Sequence, residues 1–135
     1  MARNLQLVNA ETTDVILSEL QLANTFWQRF CGWQFRQKVH VDEGLLIAPC
    51  RSIHTFFMRF PIDVLALDRE GNVLQTAKPV PPWRTFLGPK NTFAIVEAAS
   101  GALSDTLIGT RISILVDDSR LLPQVIGTWN YPNNP

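Results

Sequence analysis

The sequence predicts a mainly β fold with one or two short helices. Three observations carry this. From Ile53 to Met58, β-branched and aromatic residues fill both alternating sets, Ile53, Thr55 and Phe57 against His54, Phe56 and Met58. That suits a strand buried on both faces. Ile62 to Leu67 reads as a second strand. After it, Asp68-Arg69-Glu70-Gly71-Asn72 reads as a hairpin turn, with Gly71 or Asn72 at positive φ, and Val73 to Ala77 pairs back. Finally, Pro79, Pro81, Pro82 and Pro89, with Gly88, exclude regular structure across Lys78 to Asn91.

Taken in order, Leu5 to Val8 reads as an edge strand or an unstructured lead-in. Val15 to Leu22 reads as a strand, although its apolar spacing fits neither the period of two nor that of 3.6. Asn24 or Thr25 caps a short helix from Phe26 to Cys31, closed by Gly32. Phe26, Trp27, Phe30 and Trp33 form an aromatic stripe at helical spacing, which is core packing or a lid over a pocket. Arg36, Lys38, Asp42 and Glu43 make a charged, solvated loop, and Gly44 to Ala48 is a short buried strand. Pro61 cannot donate to a ladder and separates the two central strands. Thr92 to Glu97 is a strand with Phe93, Ile95 and Glu97 on one side. A one- or two-turn helix covers Leu103 to Leu107, and Arg111 to Val116 is a core strand. Leu121 to Ile126 reads as an edge strand, and 128–135 as a flexible polar tail.

The 135 residues suffice for a single domain, 1–135, with a real core. Twelve basic and twelve acidic residues cancel, so no electrostatic footprint for nucleic acid or an anionic membrane is present. No apolar run reaches membrane-spanning length and the first residues lack a signal-peptide core, which places the chain in the cytoplasm. Two cysteines are too few for a disulfide framework, and a reducing compartment argues against a Cys31–Cys50 bridge. There is no CxxC, HExxH, Walker loop or GxSxG.

Cys50, His54 and Met58 have copper-type ligand chemistry. In a strand, residues four apart lie about 13 Å apart, too far for one ion, so no metal is assigned. Asp63 is a carboxylate inside an apolar strand, expensive unless it anchors backbone or faces a pocket. The proline-rich loop displays Trp83, Arg84 and Lys90, an aromatic surface with two cations suited to an anionic or cyclic ligand.

These residues also carry a family likeness. Glu43-Gly44-Leu45-Leu46-Ile47, Pro49-Cys50, Ile53-His54-Thr55, Met58 and Ile62-Asp63-Val64-Leu65 resemble the DUF192 family of uncharacterised proteins. The likeness continues through Asp68, Gly71, Val73, Pro81, Trp83-Arg84, Val96-Glu97, Gly101 and Gly109, covering about 24–116. It implies a compact β fold of sandwich or jelly-roll type, a small barrel, and implies no established activity. The chain departs from the family at Arg29-Phe30-Cys31-Gly32-Trp33-Gln34, where many members have Arg-x-x-Gly-Leu-Met, and at Gly109-Thr110, where many have Gly-Asp.

The expected function is a non-catalytic β module that binds a small molecule or a partner. His54 and Asp63 orient a polar group, Met58 lines the pocket, Trp83 stacks and Arg84 pairs with an anion. The sequence names no cofactor and fixes no oligomeric state. The alternative is an enzyme built on His54, Asp63 and Glu97, with Cys50 as nucleophile if a base lies beside it at an open cleft.

Overall fold

The computed structural model describes residues 5–23, 36, 38–116 and 124–128. These form a mainly β fold: one eight-stranded mixed sheet and one two-stranded sheet. The strands are β1 (Leu5–Asn9), β2 (Val15–Leu22), β3 (Glu43–Ile47), β4 (Ser52–His54), β5 (Ile62–Leu67), β6 (Val73–Val80), β7 (Thr85–Leu87), β8 (Ala94–Ala99), β9 (Ile112–Val116) and β10 (Gln124–Val125). Single 3-10 turns occupy Asp105–Leu107 and Ile126–Thr128. The large sheet runs β10-β9-β1-β2-β3-β8-β5-β6, and β4 pairs with β7. Only the β2–β3 pair is parallel among the described pairs.

The sheet closes on itself. Asn72, just before β6, bridges Arg111, just before β9. Val73 N–H donates to the Thr110 carbonyl and Ile112 N–H to the Gly71 carbonyl, which extends that seam. Closure pairs an edge that would otherwise offer free backbone groups.

Period-two alternation then divides the strands between two cores. In β5, Leu65 and Leu67 face the barrel interior with Leu7, Leu17, Leu46, Val96, Ile112 and Ile114. Ile62, Val64 and Ala66 face outward, with Leu45, Ile47, Ile95 and Met58, beneath Phe86 of the small sheet. Two-sided burial explains why this strand reads as a continuous apolar run.

Bulges account for the irregular periods. Leu5 opposes Leu20 while Leu7 opposes Leu17, so β2 carries an extra residue there. Leu17 and Leu20, three apart, therefore both enter the interior core. Likewise Ile62 opposes Val80 while Val64 opposes Ala77, which inserts an extra residue in β6 beside Pro79.

Several sequence expectations are corrected. Leu5–Asn9 lies inside the sheet, between β9 and β2, rather than at an edge. The predicted strand Ile53–Met58 stops at His54, and Phe56 and Phe57 are exposed. Lys78–Asn91 holds the end of β6 and all of β7. The predicted helix at 103–107 is a single 3-10 turn, capped by the Ser104 hydroxyl accepting from Thr106 N–H. The helix predicted at 26–31, its aromatic stripe and the polar tail lie outside the described residues, apart from Thr128 at the end of the second 3-10 turn.

Candidate functional site

Thr55 organises the site. It is fully buried, and its hydroxyl donates to the Pro81 carbonyl at 2.6 Å and accepts from Arg84 N–H at 2.9 Å. Its own N–H donates to the Arg84 carbonyl, and its carbonyl accepts from Trp83 N–H and Met58 N–H. One small polar residue thus joins the turn after β4 to the loop before β7. A hydroxyl can serve as both donor and acceptor, which a valine of the same shape cannot.

The joined loops raise an aromatic surface. Phe56 and Trp83 stack at 5.8 Å between ring centroids, Phe57 tilts against Trp83 at 4.8 Å, and His54 tilts against Phe56 at 4.8 Å. Phe57 and Trp83 are 52% and 55% exposed. Both have left-handed backbone, with φ of 66° and 64°, a conformation that costs a bulky residue about 1–2 kcal/mol. His54 Nδ1 accepts from Phe56 N–H at 3.3 Å, which leaves the ring proton on Nε2 in the neutral tautomer. Arg84 is exposed beside Trp83.

Of the residues expected to line a pocket, His54, Trp83 and Arg84 meet at this surface. Met58 is buried beneath it in the outer core. Asp63 lies elsewhere, on the interior face of β5 opposite Ala98. Its Oδ2 accepts from Gly101 N–H at 3.0 Å and Leu103 N–H at 3.1 Å, which anchors the turn after β8. Replacing Asp63 with Ala leaves two inward-facing amides without acceptors, so a loss of about 3 kcal/mol is expected in urea unfolding. Asp63→Asn should recover most of it, because both bonds end on one oxygen. Equal losses for Ala and Asn would contradict the anchoring role.

The residues of the enzyme alternative are dispersed. Val64 opposes Glu97 across β5 and β8, so Asp63 and Glu97 face opposite sides of the sheet. Glu97 is 2% exposed, between Leu45 and Val64, and its Oε2 has no hydrogen-bond partner among the described residues. Burial pushes its carboxyl up to about 8. Cys50 borders a cleft near the β5–β6 hairpin, and its Sγ–H donates to the Ser52 carbonyl. His54, at the far end of β4, is not part of that cleft's lining. Among the described residues, no group of three His, Cys, Asp or Glu side chains could hold a metal ion.

The family model of DUF192, Uncharacterized ACR, matches residues 7–114. The chain belongs to the DUF192 family. A UPF0127 protein of the same family from Thermococcus sibiricus is 30% identical over 121 residues, covering 84% of this chain and 77% of that one. A UPF0127 protein of Pyrococcus furiosus is 30% identical over 100 residues, covering 72% of this chain and 85% of that one. A crystal structure of a protein of unknown function from Novosphingobium aromaticivorans superposes with a TM-score of 0.65 at 19% identity, over 82% of each chain. That likeness concerns the fold. Beside His54, Trp83 and Arg84, the candidate surface of this DUF192 chain also includes Thr55, Phe56 and Phe57, which the sequence alone does not single out. The signal for them in the sequence is a hydroxyl-bearing residue, Thr55, set within an aromatic run.

Proposed function

We propose that this DUF192 protein is a non-catalytic binding module whose ligand lies on the Phe56–Trp83–Phe57 surface. The observation that carries the reading is the left-handed backbone at both Phe57 and Trp83, two bulky aromatic residues that are each more than half exposed. Strain of this kind persists where surrounding contacts hold it, and it concentrates at ligand clamps. Here the Thr55 hydrogen bonds are those contacts.

The chemistry suits a flat or ring-bearing molecule with an anionic substituent. Trp83 and Phe56 offer ring faces for stacking. Arg84 supplies a fork for a carboxylate or phosphate, and the His54 ring borders the same surface against Phe56. Nucleoside monophosphates and hexose phosphates are suitable probes, titrated into isotope-labelled protein and followed by amide chemical shifts. Saturable shifts at residues 54–57 and 81–84 are expected with at least one class. Trp83→Ala should weaken that binding about tenfold or more, the value of one lost stacking contact. It should barely change stability, because the ring is exposed. Shifts that never saturate, or binding indifferent to Trp83→Ala, would rule out this surface as the site.

A further inference from the structure

We infer a second, separate site: the cleft between the β5–β6 hairpin and the chain at Cys50–Arg51 binds small oxyanions through Arg51 and Arg69. The cleft holds about 670 Å³, within the range of small-molecule sites. Its two guanidinium groups are positioned in advance. Arg51 Nε–H donates to the Gly88 carbonyl at 3.0 Å, and Gly88 N–H donates back to the Arg51 carbonyl. Arg69 lies over the Phe93 ring, 4.5 Å from its centroid. Neither arginine forms an ion pair among the described residues. Each guanidinium carries five N–H donors; Arg51 spends one on the Gly88 carbonyl, and Arg69 turns one face to the Phe93 ring. The remaining donors are free to take a carboxylate or phosphate in the forked geometry these groups favour.

The acidic neighbours leave that role open. Asp68 is turned into the hairpin, where Oδ1 accepts from Asn72 N–H and Oδ2 from the Asn72 side-chain amide. Glu70 also lines the cleft, but it is exposed at the hairpin tip and forms no ion pair with either arginine among the described residues. An anion seated between the arginines would therefore compete with no existing carboxylate contact to either of them. Restraining both side chains beforehand lowers the entropy lost on binding. The cleft and the aromatic surface sit at opposite ends of β4, so the two sites are separable by mutation.

The test is an amide chemical-shift titration of the full chain with inorganic phosphate and, separately, with succinate, in a low-chloride buffer. Saturable shifts are expected at Cys50, Arg51, Arg69 and Thr92 with at least one anion, and the preferred anion reports phosphate or carboxylate chemistry. Arg51→Gln and Arg69→Gln, both exposed positions, should each weaken that binding about tenfold. Trp83→Ala should leave it unchanged. Linear shifts with both anions, or affinity retained in both glutamine variants, would overturn the inference. Loss of binding in Trp83→Ala would overturn the separateness of the two sites and would leave the aromatic surface to be judged by its own ring-bearing probes.

Discussion

Gly71→Ala is expected to destabilise the protein by about 4 kcal/mol, lowering the melting temperature by more than about 10 °C. Gly71 has φ of 91°, where an added Cβ strains the backbone. A Cβ there would also lie 2.1 Å from the Ile112 carbonyl oxygen. No side chain can rotate out of that clash, because the obstacle is the neighbouring strand itself. Relief requires the hairpin to move away from β9. That breaks the bond from Ile112 N–H to the Gly71 carbonyl and the adjoining Asn72–Arg111 bridge, the seam that closes the barrel. Gly101 is the internal control. Its φ is 89°, but a Cβ there meets nothing within 4 Å. Gly101→Ala should therefore cost only the backbone strain, about 1 kcal/mol. The difference between the two variants isolates the steric part. Similar losses in thermal unfolding would show that the seam yields easily and contributes little.

How far the sequence discloses this fold depends on which interactions are local. Gly71 is legible because a tight turn between two apolar runs demands a residue with no Cβ. Strands β5 and β9 are legible because two-sided burial leaves apolar runs of Ile, Val and Leu, whereas β8 begins two residues later than its reading and Phe93 joins the interior core while Ile95 joins the outer one. Thr55 is different. By composition, Ile53 to Met58 continues as a strand, yet the hydrogen bonds from Thr55 to Pro81 and Arg84 lie 26 and 29 residues away and turn the chain there. Phe56 and Phe57 then face solvent although their type suggests core. Asp63 and Glu97 show the same limit. Each is a carboxyl in an apolar strand, and only the pairing register decides that one meets two backbone amides and the other meets Leu45 and Val64. The β1 strand reads as an edge because its neighbours, β2 and β9, lie at opposite ends of the chain.

Glu97 gives the second large effect, and its sign follows from linkage. The folded carboxyl titrates near 8, while the same group in the unfolded chain titrates near 4.5. Between those values the folded state keeps a proton that the unfolded state has released. Stability from this group is therefore complete at acid pH and falls as pH rises, by about 1.4 kcal/mol per unit, until it levels off near the folded value. The full loss is on the order of 4 to 5 kcal/mol. Glu43, in the neighbouring strand β3 and on the same face of the sheet, provides the contrast. The Arg36 guanidinium, 2.8 Å away, holds the Glu43 carboxyl below its usual range despite partial burial. Its contribution has the opposite sense, present above the unfolded value and lost as pH falls through the folded one. Two carboxyls on one sheet face thus shift in opposite directions because, among the described residues, Glu43 meets a cation and Glu97 does not. Glu97→Gln keeps the shape of the protonated acid and removes the titration. In urea unfolding from about pH 5 to about pH 8, the variant should hold a flatter profile than the parent chain and exceed its stability increasingly toward the alkaline end. Parallel profiles would mean that Glu97 ionises in the folded protein at its ordinary value.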